Sequence, residues 1–400
     1  VLFPPGGGNL RLCLCGVLTY ASAQTLDFLA RRKNPRFFKH YFKGENDMKN
    51  IFSSLITIVL VGMLGTVASF AADKPRVVRV GTPAGSYGKP LGAGQIGFIQ
   101  AKNLFDEEFK KDGITVEWNF IKATGPGINE ALSNNSIDIG SLGDLPAIAG
   151  KAGGLKTRLV AVSSRGGNTY VVVPADSNIK TLKDLKGKKI GVNLGTYMHA
   201  ALLKIIKDAG LTVNDFKLVN ADIPTLKTAI ATKDVDAAFI TSDALSLRSR
   251  GVGRIIHTTN DDPVFYQQAG AVIVRDEFAK KYPDIVRRFV KVWVKASHQA
   301  SLNKAATLKL NTRNGSALAD LKEDTKGQSV VYTYSPLFDE HFLNHYRKSI
   351  ALYKEHKLIR KTFDPETEWI DRSYLNAALK ELNLEHFWPE YDVNGNPKKK

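Results

Sequence analysis

"TLKDLKGKKIGVNLGTYMHAALLKIIKDAG", residues 181–210, carries the fold in one stretch. Its first half leads into a strand that ends at Gly195. Its second half, "TYMHAALLKIIKDAG", reads as an amphipathic helix with Ala200, Leu203, Ile206 and Ala209 on one side and a glycine stop. The pattern then repeats downstream: "DFKLVNAD" is a strand, "IPTLKTAIATKD" a helix and "VDAAFITSD" a strand.

The same rhythm runs upstream. "RVVRVGT" (76–82) is a β-branched run ending in a glycine loop, and "GAGQIGFIQAKNLFDEEFKKDG" carries helical spacing up to Gly113. "ITVEWNFIKA" alternates as a strand, "GPGINEALSNN" opens a helix at Pro126, and "SIDIGSLGD" ends a strand on glycines. After "FYQQAGAVIV" (265–274) the chain turns helical to about residue 385. Strand–helix alternation with short loops predicts an α/β protein with mainly parallel sheets covered by helices and a helical C-terminal region. Two runs of this kind predict two lobes: 76–167 plus 262–385, and 168–261, followed by a tail at 386–400. Extended segments near 168–175 and 262–274 join them. A cleft between lobes, at the carboxyl ends of the strands, is where a ligand is expected.

Ahead of this lies "MKNIFSSLITIVLVGMLGTVASFAAD" (48–73), with a basic start, an uncharged apolar run and small residues at Ser69 and Ala71. It reads as a signal peptide, 48–71, cleaved after Ala71. The run is shorter than the roughly 20 apolar residues that span a bilayer. Residues 1–47 match nothing else in the chain and read as an over-extended reading frame. They hold the two cysteines, Cys13 and Cys15. The mature chain, 72–400, would then have no disulfide, thiolate metal site, cysteine nucleophile or lipid anchor.

The net charge is +17. The lysines are scattered among acids on helical surfaces, which is the pattern of solvated faces. No nucleic-acid motif is present, and export argues against nucleic acid as a partner.

The loops after the strands carry the chemistry. "TPAGSYGKPLGAGQ" (82–95) offers Ser86, Tyr87 and Lys89. "ATGPG" offers Thr124 and Gly125; "SLGDLP" offers Gly143 and Asp144; "NLGTYMH" offers Gly195, Thr196 and His199; "TSDAL" offers Ser242 and Asp243. Each places backbone N–H groups or hydroxyls at a helix start, where an anion is favoured. Taken singly, Thr196, Ser242, Asp144 and Asp243 are equally good helix caps. A carboxylate that faced the ligand would favour an ammonium group. "GSYGKP" breaks the P-loop spacing at Pro90. "GAGQIG" (92–97) fits the dinucleotide pattern, but its acid would fall at Asp112, in a turn. HExxH and GxSxG are missing, and His199 has no base partner in sequence. No cofactor or metal is expected.

In order, "GPGINEALSNNSIDIGSLGDLPAIAGKAGG", "IKTLKDLKGKKIGVNLGTYMHAALLKIIKDAGL" and "KDVDAAF" resemble the substrate-binding proteins of ABC importers for nitrate, sulfonates and taurine, above all the aliphatic-sulfonate branch. The resemblance covers about 76–300. It implies a two-lobed Venus-flytrap fold, a small anionic or zwitterionic ligand, a membrane permease as partner, a periplasmic monomer and no catalysis. It maps the oxyanion donors to Ser86–Lys89, Thr124–Gly125, Gly195, Thr196 and His199, with Gly143, Asp144 and Asp243 beside them. The chain departs from the family at Ser242, where many members have Trp, and in a longer glycine-rich first loop. Tyr87, Tyr197, Phe265 and Tyr266 are candidates for an apolar annex, and Arg165 for added positive potential. The alternatives are an enzyme on the same fold, of the desulfinase or thiamine-pyrimidine-synthase kind, or a secreted ligand sensor. The missing mature cysteine removes the first of these.

Overall fold

The computed structural model describes residues 74–85 and 88–398. The expected reading-frame extension (1–47) and signal peptide (48–71) lie outside them, as do Ser86 and Tyr87. The described residues fall within one compact unit, Lys74–Lys400.

Two five-stranded sheets organise the chain. The first contains β1 (Val77–Pro83), β2 (Thr115–Ile121), β3 (Ile139–Leu142), β4 (Thr157–Gly167) and β10 (Gln268–Arg275), in the order β2-β1-β3-β10-β4. The second contains β5 (Tyr170–Pro174), β6 (Lys189–Val192), β7 (Lys217–Asn220), β8 (Ala237–Ile240) and β9 (Gly253–Thr258), in the order β7-β6-β8-β5-β9. β1 runs parallel to β2 and β3, and β6 parallel to β7 and β8. β10 is antiparallel to β3 and β4, and β5 is antiparallel to β8 and β9.

In each sheet four strands run one way, as the expected mainly parallel sheets require, and a single strand, β10 or β5, runs against them, so the sheets are mixed. β5 and β10 are the strands that follow each crossing from one sheet to the other. A strand entering from the cleft side meets the carboxyl ends of its neighbours, so it must run against them.

The helices that bear on the cleft are α1 (Gly94–Ala101), α2 (Thr124–Ser133), α3 (Asp144–Ala152), α4 (Tyr197–Asp208), α5 (Asp243–Ser249), α6 (Pro283–Leu302), α7 (Leu318–Asp324) and α8 (Glu340–Glu355). α4 forms where the 181–210 stretch predicts it. It stops because Gly210 takes φ +71°, letting Leu211 N–H reach the Ile206 carbonyl and Gly210 N–H the Lys207 carbonyl. The single helix expected over 92–113 is broken instead, because Asn103 takes φ +49° between α1 and the helix Leu104–Phe109.

Each sheet has its own apolar core. The first gathers Phe105, Phe289, Trp293 and Tyr346; the second gathers Val171, Leu202, Leu226 and Phe239. The cores interlock at two places: Ala200 of α4 belongs to the first, and Leu358 packs against both. The end of the chain is also packed, where a tail was expected. Trp388 is buried and donates its Nε1–H to Ser301 Oγ at 3.1 Å, and Lys398 pairs with Glu340 at 2.7 Å. Among the described residues, no helix is long and apolar enough to cross a membrane.

Candidate functional site

Strands β1 and β3 of the first sheet and β6 and β8 of the second point their carboxyl ends at one cleft. A cavity of about 350 Å³ lies there. The starts of α1, α2, α3 and α4 all reach its wall, through Ala93, Thr124, Gly143 and Thr196. The first N–H groups of a helix have no partner within it, and the aligned peptide dipoles favour negative charge there by about 0.3–1 kcal/mol per helix.

The packing that converges these helix starts is tight. A Cβ at Gly125 would overlap the Pro146 ring, so α2 and α3 meet through a glycine. Gly195 takes φ +77°, and a Cβ there would stand 3.0 Å from Pro126 Cγ, on the other side of the cleft. A Cβ at Gly143 would likewise meet Tyr197 of α4 at 3.5 Å.

Hydroxyls and amides fill in between. Thr124, itself at φ +53°, has a buried Oγ1 with no hydrogen-bond partner. Thr82, Ser141, Ser163, Thr241 and Gln268 also reach the wall. None of the described residues lining this cavity carries a charged side chain. Leu91, Ile96, Met198 and Ile223 add apolar side chains to the lining. The arrangement suits a monoanion with several acceptor oxygens and an apolar part.

Of the residues read from sequence, Thr124, Gly125, Gly143 and Thr196 line this cavity. Thr196 commits its hydroxyl to the Asn193 carbonyl at 2.7 Å, leaving backbone N–H groups as the donors at this helix start. Gly195 shapes the turn beside it. Ser242 and Asp243 line an adjoining space, and Asp243 is engaged by Lys227 at 2.8 Å and Thr241 at 2.7 Å.

Three residues stand elsewhere. Lys89 is exposed and lines neither space. Asp144 is buried with His345, at 2.7 Å, and does not reach the cavity. His199 accepts the Gly195 N–H at 3.4 Å through Nδ1, and burial, helped by His356, pulls its pKa down to about 4, so the ring is neutral. Arg165 adds no net potential, because Asp339 neutralises it at 2.8 Å inside the protein. Of the annex candidates, Tyr197 lines the cavity. Phe265 instead packs against Lys204 and His345, and Tyr266 bonds Asp208 at 2.5 Å.

The sequence reading missed Ser163, Ser164 and Gln268, which come from the strands on either side of the crossings. The stretches "SSRGGN" and "YQQAG" put polar residues at the ends of apolar strands, and that was the available signal.

Residues 107–305 match the family described as NMT1/THI5 like. The structure superposes on that of a periplasmic sulfonate-binding protein from Methylobacillus flagellatus KT with a TM-score of 0.67 and 34% identity, covering 79% of this chain and 97% of that one. The chain belongs to the NMT1/THI5-like family. Curated relatives of this family member include a Bacillus subtilis protein provisionally named an aliphatic sulfonates-binding protein, 28% identical, covering 70% of this chain and 83% of the relative. The taurine-binding periplasmic protein of Escherichia coli is 28% identical, covering 57% of this chain and 69% of the relative.

Proposed function

We propose that this protein is the solute-binding component of an ABC importer and that it captures a small organosulfonate, sulfate ester or related oxyanion between its two sheets. The observation that carries this reading is the convergence of four helix starts on a cavity whose described lining has no charged side chain and several apolar ones, with the buried Thr124 hydroxyl left unpartnered beside it. A sulfonate has one negative charge, three acceptor oxygens and one carbon substituent. A sulfate dianion would lack compensation for its second charge and would leave the apolar side chains unused. The names of the relatives point the same way.

Binding works by population shift. Thr124 and Gly143 approach the ligand from the first sheet, and Thr196 and Thr241 from the second. The ligand touches both sets only when they are close, and that difference in affinity stabilises closure. In this reading no bond is made or broken: His199, the base the sequence offers in these loops, does not line the cavity. The protein would act in the periplasm as a monomer, after loss of residues 1–71, and present the closed form to a membrane permease.

The test is thermal unfolding of the purified protein against alkyl and aryl sulfonates, sulfate esters, taurine, nitrate and sulfate. Binding to the native state alone adds about 2.7 kcal/mol at a hundredfold excess over Kd. A shift with a sulfonate or sulfate ester, and none with inorganic sulfate, is the expected result. A flat panel overturns the reading.

A further inference from the structure

A second chamber of about 390 Å³ adjoins the first cavity and shares lining residues with it, among them Gly85, Ala93, Ile96, Ser163, Ser164 and Thr241. Much of its far wall, including Asn311, Leu321, Asp324 and Tyr334, lies beyond residues 107–305, the part that matches the family. Its chemistry differs from that of the first cavity, because charged side chains line it. Two of the three are already neutralised: Arg165 by Asp339 and Asp243 by Lys227, each at 2.8 Å.

The third is Asp324, at the end of α7. Its carboxylate accepts hydrogen bonds from the Tyr170 hydroxyl at 2.9 Å and the Asn168 amide at 3.2 Å, with Ser242 a third partner, all neutral donors, and it forms no ion pair among the described residues. Burial pushes its pKa up, and the neighbouring Glu323 adds to the shift. That is the signature of a carboxylate lacking a counter-charge, and an ammonium group would relieve it.

We propose that this chamber is a recognition subsite for the tail of the ligand, placing an ammonium group against Asp324. The preferred ligand is then a zwitterionic sulfonate whose amine lies several carbons from sulfur, since the tail must reach from the first cavity into the second. This rests on the sulfonate end occupying the first cavity.

The test is calorimetric titration of the purified protein with ω-aminopentanesulfonate and hexanesulfonate, in which an ammonium replaces a methyl of similar size. The amine is expected to bind at least about tenfold tighter, as for a charge-assisted hydrogen bond. In Asp324→Asn the ratio of the two affinities falls toward one. N-acetylated aminopentanesulfonate, tested on the native protein, keeps the polarity but loses the charge, and is expected to bind no tighter than hexanesulfonate. Equal affinity for amine and alkane overturns the subsite while leaving the sulfonate reading standing. So does an acetylated tail that matches the amine, or a ratio unchanged in the variant. Failure of every sulfonate to bind overturns both.

Discussion

Asp144 and His345 are 201 residues apart in the chain and 2.7 Å apart in the fold, both buried. The pair ties the start of α3, whose Gly143 lines the cleft cavity, to α8 in the C-terminal region. Burial alone would raise the Asp144 carboxyl, but the His345 hydrogen bond and the charges of His345 and Lys204 outweigh it and hold it below the usual range. Burial also pulls the His345 ring down, against the Asp144 carboxylate that raises it, and the two share one short Nε2–Oδ2 hydrogen bond. Asp144 therefore positions a helix start and does not line the cavity.

Removing it is expected to be expensive. Asp144→Ala should lower stability by about 3–5 kcal/mol, since it breaks a buried hydrogen-bonded pair and leaves its partner unmatched. Urea unfolding monitored by circular dichroism measures this. A loss below about 1 kcal/mol would mean the pair is solvated in solution.

Stability should fall on acidification. His199 and His341 are pulled to about 4, mainly by burial, and His345 is also pulled down. Between those values and 6.5 the unfolded chain binds more protons than the folded one, so stability is full above 6.5 and is lost as pH falls. Each ring contributes about 1.4 kcal/mol per pH unit in that window. Asp324, raised by burial, opposes them at the acid end. Urea midpoints at pH 7, 6 and 5 should decline in that order; a flat or rising series would contradict the buried, neutral rings.

Thr124→Val separates binding from folding. The Thr124 hydroxyl has no partner in the ligand-free fold, so its loss should change stability by less than about 0.5 kcal/mol. Affinity for a sulfonate should drop about five- to tenfold, the worth of one hydrogen bond. Unchanged affinity would remove Thr124 from the site.

Gly125→Ala acts through packing. The new methyl meets the Pro146 ring and must push the starts of α2 and α3 apart. A stability loss of about 1–3 kcal/mol is expected. Binding should weaken well beyond the Thr124→Val effect, because two helix starts move. Full binding in this variant would show that the convergence of the helices does not set affinity.

The alternation of strands and helices is legible in the sequence because its signals are local. Gly210 ends α4, and Gly195 turns the chain into it. Strand direction is not local, which is why the antiparallel insertion of β5 and β10 escapes a reading of apolar runs. The cleft loops are found for the same local reason, and Thr124, Gly125, Gly143 and Thr196 line one cavity. The partner of Asp144 is invisible, since no spacing rule links it to His345. Ser163, Ser164 and Gln268 lie in crossing strands that carry no motif. Asn103 reads as helix, and only its left-handed backbone reveals the break.

Leu358 packs against both cores, and Ala200 reaches from a helix of the second sheet into the first core. Neither core can lose its order without exposing a surface the other helps to cover. The two halves should therefore melt together, as one heat-capacity peak whose calorimetric and van't Hoff enthalpies agree. Leu358→Ala would be the change that splits the peak.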